Sequence, residues 1–257
     1  MANGNVTQPS GIEMVGMTDP GLHRDTNEDA YALLPGAGIA LLADGMGGHA
    51  RGELASTIAV SRALRHLVDA APGVETAQRP PRERLAGAVD AANRAVLGAA
   101  GQDPASRGMG TTLIAVLFEA GWLHAVHVGD SRLYRYRGET LEQLTHDQTV
   151  GAMLAARARD RGDPHRPPPF SNVLTQAIGA DEEMTPERIA LECHAGDLYL
   201  LCSDGLYSML EESEIRLTLQ KFDANLGATA RELIRLANNR GGLDNITTVL
   251  ARPAYQI

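Results

Sequence analysis

Apolar and polar residues alternate with a period of two over residues 12–18, which predicts a strand with one buried face. Residues 31–34 and the unbroken apolar run at 38–43 predict two more strands, separated by a Pro-Gly turn. The period then lengthens. Over 52–70, Leu54, Ile58, Ala59, Leu64 and Leu67 fall on roughly one face of a helix, and over 82–100 Leu85, Val89, Ala92 and Val96 do the same. The stretch 72–81 between these helices reads as a loop closed by two prolines. Strands return at 111–118, 122–128, 133–137 and 140–144, with hairpin turns at Gly121 and at Arg137-Gly138. A helix is predicted at 150–161, a Pro-rich, mobile surface stretch at 163–169, and strands at 188–193 and 198–202. Helices at 212–220 and 228–239 precede a last strand at 247–251.

Strands thus come in hairpin clusters and helices in sequential pairs. That order predicts an α+β fold with antiparallel sheets: two sheets packed together as a β-sandwich, flanked by pairs of α-helices. The expected organisation is a disordered segment at 1–10 and a single domain at 11–257, with 145–170 forming a flap subdomain.

Composition narrows the function classes. A net charge of −9 leaves no basic face for nucleic acid. The first ten residues lack the positive start and apolar stretch of a signal peptide, and no apolar run is long enough to span a bilayer, so a cytoplasmic protein is expected. Aromatic residues are 4% of the chain, so Ala, Leu, Val and Ile must build the core. Cys193 and Cys202 both sit in apolar runs without a C-x-x-C spacing, and are expected as buried thiols in a reducing compartment.

The placement of aspartates carries the chemistry. Asp44 follows the run Ile39-Ala40-Leu41-Leu42-Ala43 and precedes Gly45; Asp204 follows 198–203 and precedes Gly205. Asp130 follows 125–129, and Asp244 opens the final strand after Gly241-Gly242-Leu243. One Asp-Gly is ordinarily a turn. Four apolar segments that each deliver a carboxylate to their edge point to a shared cation, because clustered carboxylates repel unless neutralised. All-oxygen ligands suit Mg²⁺ or Mn²⁺. The cluster Arg24-Asp25-Thr26-Asn27-Glu28-Asp29 adds a guanidinium fork suited to two phosphate oxygens, and Glu28 and Asp29 are placed to orient water around such a cation.

These residues resemble the bacterial type 2C (PPM) metal-dependent serine/threonine protein phosphatases. The resemblance rests on Arg24-x-x-Asn27-Glu28-Asp29, Asp44-Gly45-Met46-Gly47-Gly48-His49, Gly108-Met109-Gly110-Thr111-Thr112, Gly129-Asp130-Ser131-Arg132, Ser203-Asp204-Gly205-Leu206 and Asp244-Asn245, in family order from about residue 16 to 251. It implies hydrolysis of phosphoserine and phosphothreonine by water activated between two Mn²⁺ or Mg²⁺ ions in a cleft at one end of the sandwich. It implies that Asp44 bridges both ions, that the Gly45 carbonyl binds the second and that Asp204 and Asp244 complete the first. Glu28 and Asp29 would act directly or through water, Asp130 would help hold a weaker third ion, alone or with Asp204, and Arg24 would bind the substrate phosphate.

Two positions depart from relatives. Met46 stands where animal members carry a histidine proposed as general acid, and a thioether donates no proton; a cation-bound water or His49 is left as donor, the bland alternative for His49 being a loop residue. Ser208 replaces an aspartate found in several relatives, which bears on the third ion. Thr111 and Thr112 are expected at a strand start with hydroxyls near the site, Asn245 as an orienting or turn residue, and His124, His127 and Trp122 as packing. The implied partners are phosphoproteins and an opposing eukaryotic-like Ser/Thr kinase, with the chain a monomer. The rival readings are a silent phosphoprotein-binding member, a phosphatase of an anti-sigma-antagonist regulator, and a different two-metal hydrolase.

Overall fold

The computed structural model describes residues 11–47, 51–69, 79–161 and 170–253. The segments predicted as the disordered N-terminus and the Pro-rich stretch, and the motif residues Gly48 and His49, lie outside the described residues.

Two antiparallel sheets stack face to face. One contains β1 (Ile12–Asp19), β11 (Ile246–Pro253), β10 (Leu198–Cys202), β7 (Arg132–Arg137) and β8 (Thr140–Gln143), in that spatial order. The other runs β2 (Asp29–Leu34), β3 (Ile39–Met46), β5 (Leu113–Glu119), β6 (Trp122–Val128) and β9 (Glu187–Glu192), with the short β4 (Gly110–Thr111) paired to the end of β3. Helices α1 (Arg51–Asp69) and α2 (Pro81–Gln102) cover the outer face of the second sheet. Helices α5 (Glu212–Phe222) and α6 (Leu226–Asn239) cover the outer face of the first, and α3 (Val150–Arg161) and the one-turn α4 (Asp204–Tyr207) lie in connections. This is the α+β sandwich expected from the order of elements.

The middle strands are apolar on both faces because each face has a layer against it. In β3, Ile39, Leu41 and Ala43 pack against α1 and α2, while Ala40 and Leu42 enter the space between the sheets. In β10, Leu198, Leu200 and Cys202 face α5 and α6, while Tyr199 and Leu201 face inward. With so few aromatics, the inter-sheet layer relies on one edge-to-face pair, Phe118 and Tyr199, with ring centroids 5.5 Å apart. The hairpin turns hold at the expected places: Ala120 and Gly121 have φ of 51° and 84°, and Gly138 and Glu139 have 53° and 65°.

Several expectations needed correction. The buried stripe of α1 is Gly52, Ala55, Ser56, Ala59, Val60, Ala63 and Leu67, and Leu54 is exposed. Small residues face inward there because α1 lies close to both the sheet and α2. Asp44 is not beyond the end of β3 but inside it, since the strand continues to Met46 by pairing with β4. Asp204 and Gly205, just past β10, form the first residues of α4. The strand expected from residue 111 is broken at Thr112 into β4 and β5.

Truncating Phe118 to Ala should cost about 3–5 kcal/mol of unfolding free energy in urea, because it removes the partner of Tyr199 and leaves a cavity between the sheets. Phe118→Leu should cost clearly less. Equal midpoints for Phe118→Ala and wild type would mean the sheets do not depend on this contact.

Candidate metal centre

Antiparallel pairing brings the starts of β2, β7 and β11 and the ends of β3, β6 and β10 to one end of the sandwich. That end carries the aspartates. Asp29 opens β2 and lies directly opposite Asp44 in the β2–β3 register. Asp130 sits between β6 and β7, Asp204 follows β10 after Ser203, and Asp244 precedes β11 with Asn245 between them. Thus aspartates far apart in the chain meet, and the charges of Asp204 and Asp244 act on the ionisation of Asp29 and Asp44.

Hydroxyl and amide groups hold this end in place. The Asp29 carboxylate is buried, and its Oδ2 accepts hydrogen bonds from Ser203 Oγ at 2.7 Å and Thr247 Oγ1 at 2.6 Å. Its Oδ1 is buried without a partner. The Asp44 backbone N–H donates to Thr112 Oγ1 at 2.9 Å, and its carbonyl accepts from Thr111 Oγ1 at 2.8 Å. Asn245 secures the 20–28 loop: its Nδ2 donates to the carbonyls of Pro20 and Thr26, both at 2.9 Å, and its Oδ1 accepts from Glu28 N at 2.8 Å. The glycines after the aspartates have a packing reason besides any ligand role. A Cβ on Gly45 would lie 2.1 Å from the Gly52 carbonyl oxygen, and one on Gly205 would lie 2.1 Å from that of Asn245.

Burial and neighbouring charges together raise the carboxylates of the cluster. Loss of solvating water pushes Asp29 up to about 7, although the Thr247 and Ser203 hydroxyls oppose the rise. Burial, then the charges of Asp204 and Asp147, pushes Asp130 up to about 7. Asp204 rises to about 6 through burial and the charge of Asp244, offset by a hydrogen bond from Asp44. Asp44 stands well above the ordinary carboxylate range, first from burial and then from the charges of Asp29, Asp204, Asp130 and Asp244. Glu28 is also raised, by burial, while the Gly52 N–H at the start of α1 opposes the rise.

Arg24 meets this cluster from the rim. Its Nη2 donates to Asp244 Oδ2 at 2.6 Å, a pairing across 220 positions that sequence reasoning did not foresee. Ser208 Oγ donates to the Asp204 carbonyl at 2.7 Å. Met46 is partly exposed beside Gly110.

Among the described residues, no group of three Asp, Glu, His or Cys side chains is arranged to hold a metal ion by itself. A small hard cation does not require that, because Mg²⁺ and related ions keep several waters and take one or two carboxylates each. The orphaned Asp29 oxygen, the upward-shifted carboxylates and the all-oxygen donor set fit such ions.

A family model described as protein phosphatase 2C matches residues 23–249. The chain belongs to the protein phosphatase 2C family. Its relatives within that family include the serine/threonine protein phosphatase PstP of Mycobacterium tuberculosis, 39% identical over 234 residues, which cover 91% of this chain and 43% of PstP. The chain therefore spans less than half the length of that relative. Protein phosphatase PhpP of Streptococcus pneumoniae is 37% identical over 242 residues, covering 93% of this chain and 96% of PhpP. Among solved structures, the catalytic domain of PstP in complex with two manganese ions superimposes with a TM-score of 0.82 at 37% identity, covering 94% of this chain and 98% of that one. The sandwich described above is the family fold.

The residues that sequence reasoning missed are mostly uncharged. Ser203, Thr247 and Asn27 had no assigned role, yet the first two hold Asp29, and Asn27 Oδ1 accepts from the Asp29 N–H at 3.1 Å. Their signal was a hydroxyl or amide within or beside an apolar strand. His127 is buried against Glu187, at 3.1 Å, and Trp122 stacks on His124, so these are packing residues as expected.

The shifts predict how the cation-free protein responds to pH. Asp29, Asp44, Asp130 and Asp204 bind protons more tightly folded than unfolded, where a carboxyl titrates near ~3.9. Their contribution to stability is fully present below the unfolded value and is lost as pH rises through about 6 to 7. His66 and His124, lowered by burial, act in the opposite sense, so the diagnostic quantity is the difference between wild type and Asp130→Asn. In EDTA, the stability of wild type relative to Asp130→Asn should fall between pH 5 and pH 8, and excess Mn²⁺ should remove that fall. Parallel melting curves across this range in EDTA would mean that Asp130 is not held protonated.

Proposed function

We propose that this chain is a phosphoprotein phosphatase that hydrolyses phosphoserine and phosphothreonine with two Mn²⁺ or Mg²⁺ ions. The observation that carries the reading is the convergence of five aspartates from both sheets on one end of the sandwich, beside a rim arginine, with burial raising the pKa of Asp29, Asp44, Asp130 and Asp204. Family membership and the two manganese ions of the PstP catalytic domain support it.

In this reading Asp44 contributes to both ions and the Gly45 carbonyl to one of them. Asp204 and Asp244 complete the other, Asp29 and Glu28 orient water, and Asp130 serves a weaker third ion. Such a pair, when bound, lowers the pKa of water and neutralises phosphoryl charge. The chain's own residues do the rest. Arg24 moves from Asp244 to the substrate phosphate, where its fork donates to two oxygens. That move costs little, because the Arg24 and Asp244 side chains are 49% and 34% exposed and water screens their attraction. Asn245 fixes the backbone of the loop from which Arg24 reaches out. Met46 has no proton to give the leaving oxygen, which leaves water held in the site, or His49, as the donor.

The reading extends to residues 11–257 as one catalytic unit with a flap at 145–170, acting as a cytoplasmic monomer against a Ser/Thr kinase. The thiols of Cys193 and Cys202, which form no disulfide, fit a reducing compartment. No helix among the described residues is long and apolar enough to cross a membrane.

Release of phosphate from a phosphothreonine peptide should vanish in EDTA and return with Mn²⁺. Asp44→Asn should nearly abolish turnover, melt higher than wild type without metal because it relieves repulsion, and gain less from added Mn²⁺. Full turnover by protein shown to be metal-free, or native Mn²⁺ affinity in Asp44→Asn, would overturn the assignment.

Arg24→Ala should lower kcat/KM strongly, and Arg24→Lys less, because lysine keeps the charge but loses the fork. Unchanged kinetics in Arg24→Ala would place the phosphate elsewhere.

A further inference from the structure

The loop at residues 129–132 carries Asp130, and every one of its residues is anchored to a different group. Gly129 exchanges two hydrogen bonds with Gln148: its N–H donates to Gln148 Oε1 at 2.9 Å, and its carbonyl accepts the Gln148 N–H at 2.8 Å. The Asp130 carbonyl accepts from Tyr207 Oη at 3.0 Å. Ser131 Oγ lies 2.7 Å from Thr112 Oγ1, the hydroxyl that also accepts the Asp44 N–H. Arg132 grips Asp147 through Nε to Oδ1 at 3.0 Å and Nη2 to Oδ2 at 2.7 Å.

Arg132 is the hub of this arrangement. Besides Asp147, it donates from Nη1 to Tyr134 Oη at 2.9 Å, and its guanidinium lies 3.6 Å from the centroid of the Tyr207 ring. The side chains of Arg132 and Asp147 are each 19% exposed, so water screens the pair only weakly. Packing does not replace it. A cleft of about 420 Å³ opens on the Arg132 side, bordered by Tyr207, Ser208 and Glu212, and one of about 530 Å³ opens on the Asp147 side, bordered by Thr145, Thr149 and Met153. The ion pair borders both, Arg132 lining the first and Asp147 the second. It joins the segment leading into α3 to Tyr207 in α4, the helix that begins at Asp204.

We propose that Arg132 is a positioning residue that fixes the Asp130 loop, through Asp147 on one side and Tyr207 on the other, for cation binding and turnover. This rests on the phosphatase reading above. Lysine cannot reproduce the role, because it lacks both the planar fork that holds Asp147 and the flat face that stacks on Tyr207. Asp147 also contributes a negative charge beside Asp130, which Arg132 balances. Removing either partner therefore alters both the geometry and the field at Asp130.

The test uses the full chain as Arg132→Lys, Asp147→Asn, the double variant and Tyr207→Phe. Each is titrated with Mn²⁺ by calorimetry after chelation, followed by amide hydrogen exchange, and assayed on a phosphothreonine peptide. Arg132→Lys and Asp147→Asn should each weaken the weakest resolved Mn²⁺ step about tenfold, the size expected when a support behind a metal ligand is lost. Amides at 145–150 should exchange faster, and kcat should fall with little change in KM. The double variant should lose no more than the single ones, because both act through one contact. Tyr207→Phe, which removes only the bond to the Asp130 carbonyl, should reproduce the Mn²⁺ effect without faster exchange at 145–150. Faster exchange with native Mn²⁺ binding and native kcat in Arg132→Lys would make the pair a structural brace and overturn the proposal. An inactive wild-type chain would instead refute the phosphatase reading.

Discussion

Burial of carboxylates that also repel one another is the constraint around which this molecule is organised. Asp29, Asp44, Asp130 and Asp204 converge where water is scarce, and burial first, then their neighbours' charges, favours their protonated forms. Such a cluster works against folding near neutral pH. It persists because the strands that carry it are anchored elsewhere, by apolar layers on both faces of β3, β5 and β10. The rigid sandwich tolerates a destabilised end, and that end is where a divalent cation has most to offer.

The means of holding the cluster are chosen for low charge. Hydroxyls of Ser203, Thr247, Thr111 and Thr112 fix Asp29 and the Asp44 backbone without neutralising either carboxylate. An arginine in those places would bind the aspartates as permanent partners and exclude a cation. Full charges appear only at the margin. Arg24 pairs with Asp244 at the solvent edge, where water screens the bond, and Arg132 is occupied by Asp147. The two arginines differ in exposure: the Arg24 side chain is 49% exposed and that of Arg132 19%.

Much of this protein was determined by local pattern. Periods of two and of 3.6 residues located the long strands and helices, and glycine placed the hairpin turns, because these features depend on neighbours within a few positions. The Asp-Gly pairs after apolar runs, with the polar segment Arg24 to Asp29, were enough to point to a carboxylate centre for a hard cation and a phosphate. Tertiary structure decided the rest. Which face of α1 is buried depended on how near the sheet and α2 come, so alanines lie inside and Leu54 outside. Pairing with β4 carried β3 past Asp44. Asp29 meets Thr247 across 218 positions, and Arg24 meets Asp244 across 220. Hydrogen bonds and ion pairs act over a few ångströms of space and leave no period in the chain, so only the folded arrangement of the two sheets could bring their partners together.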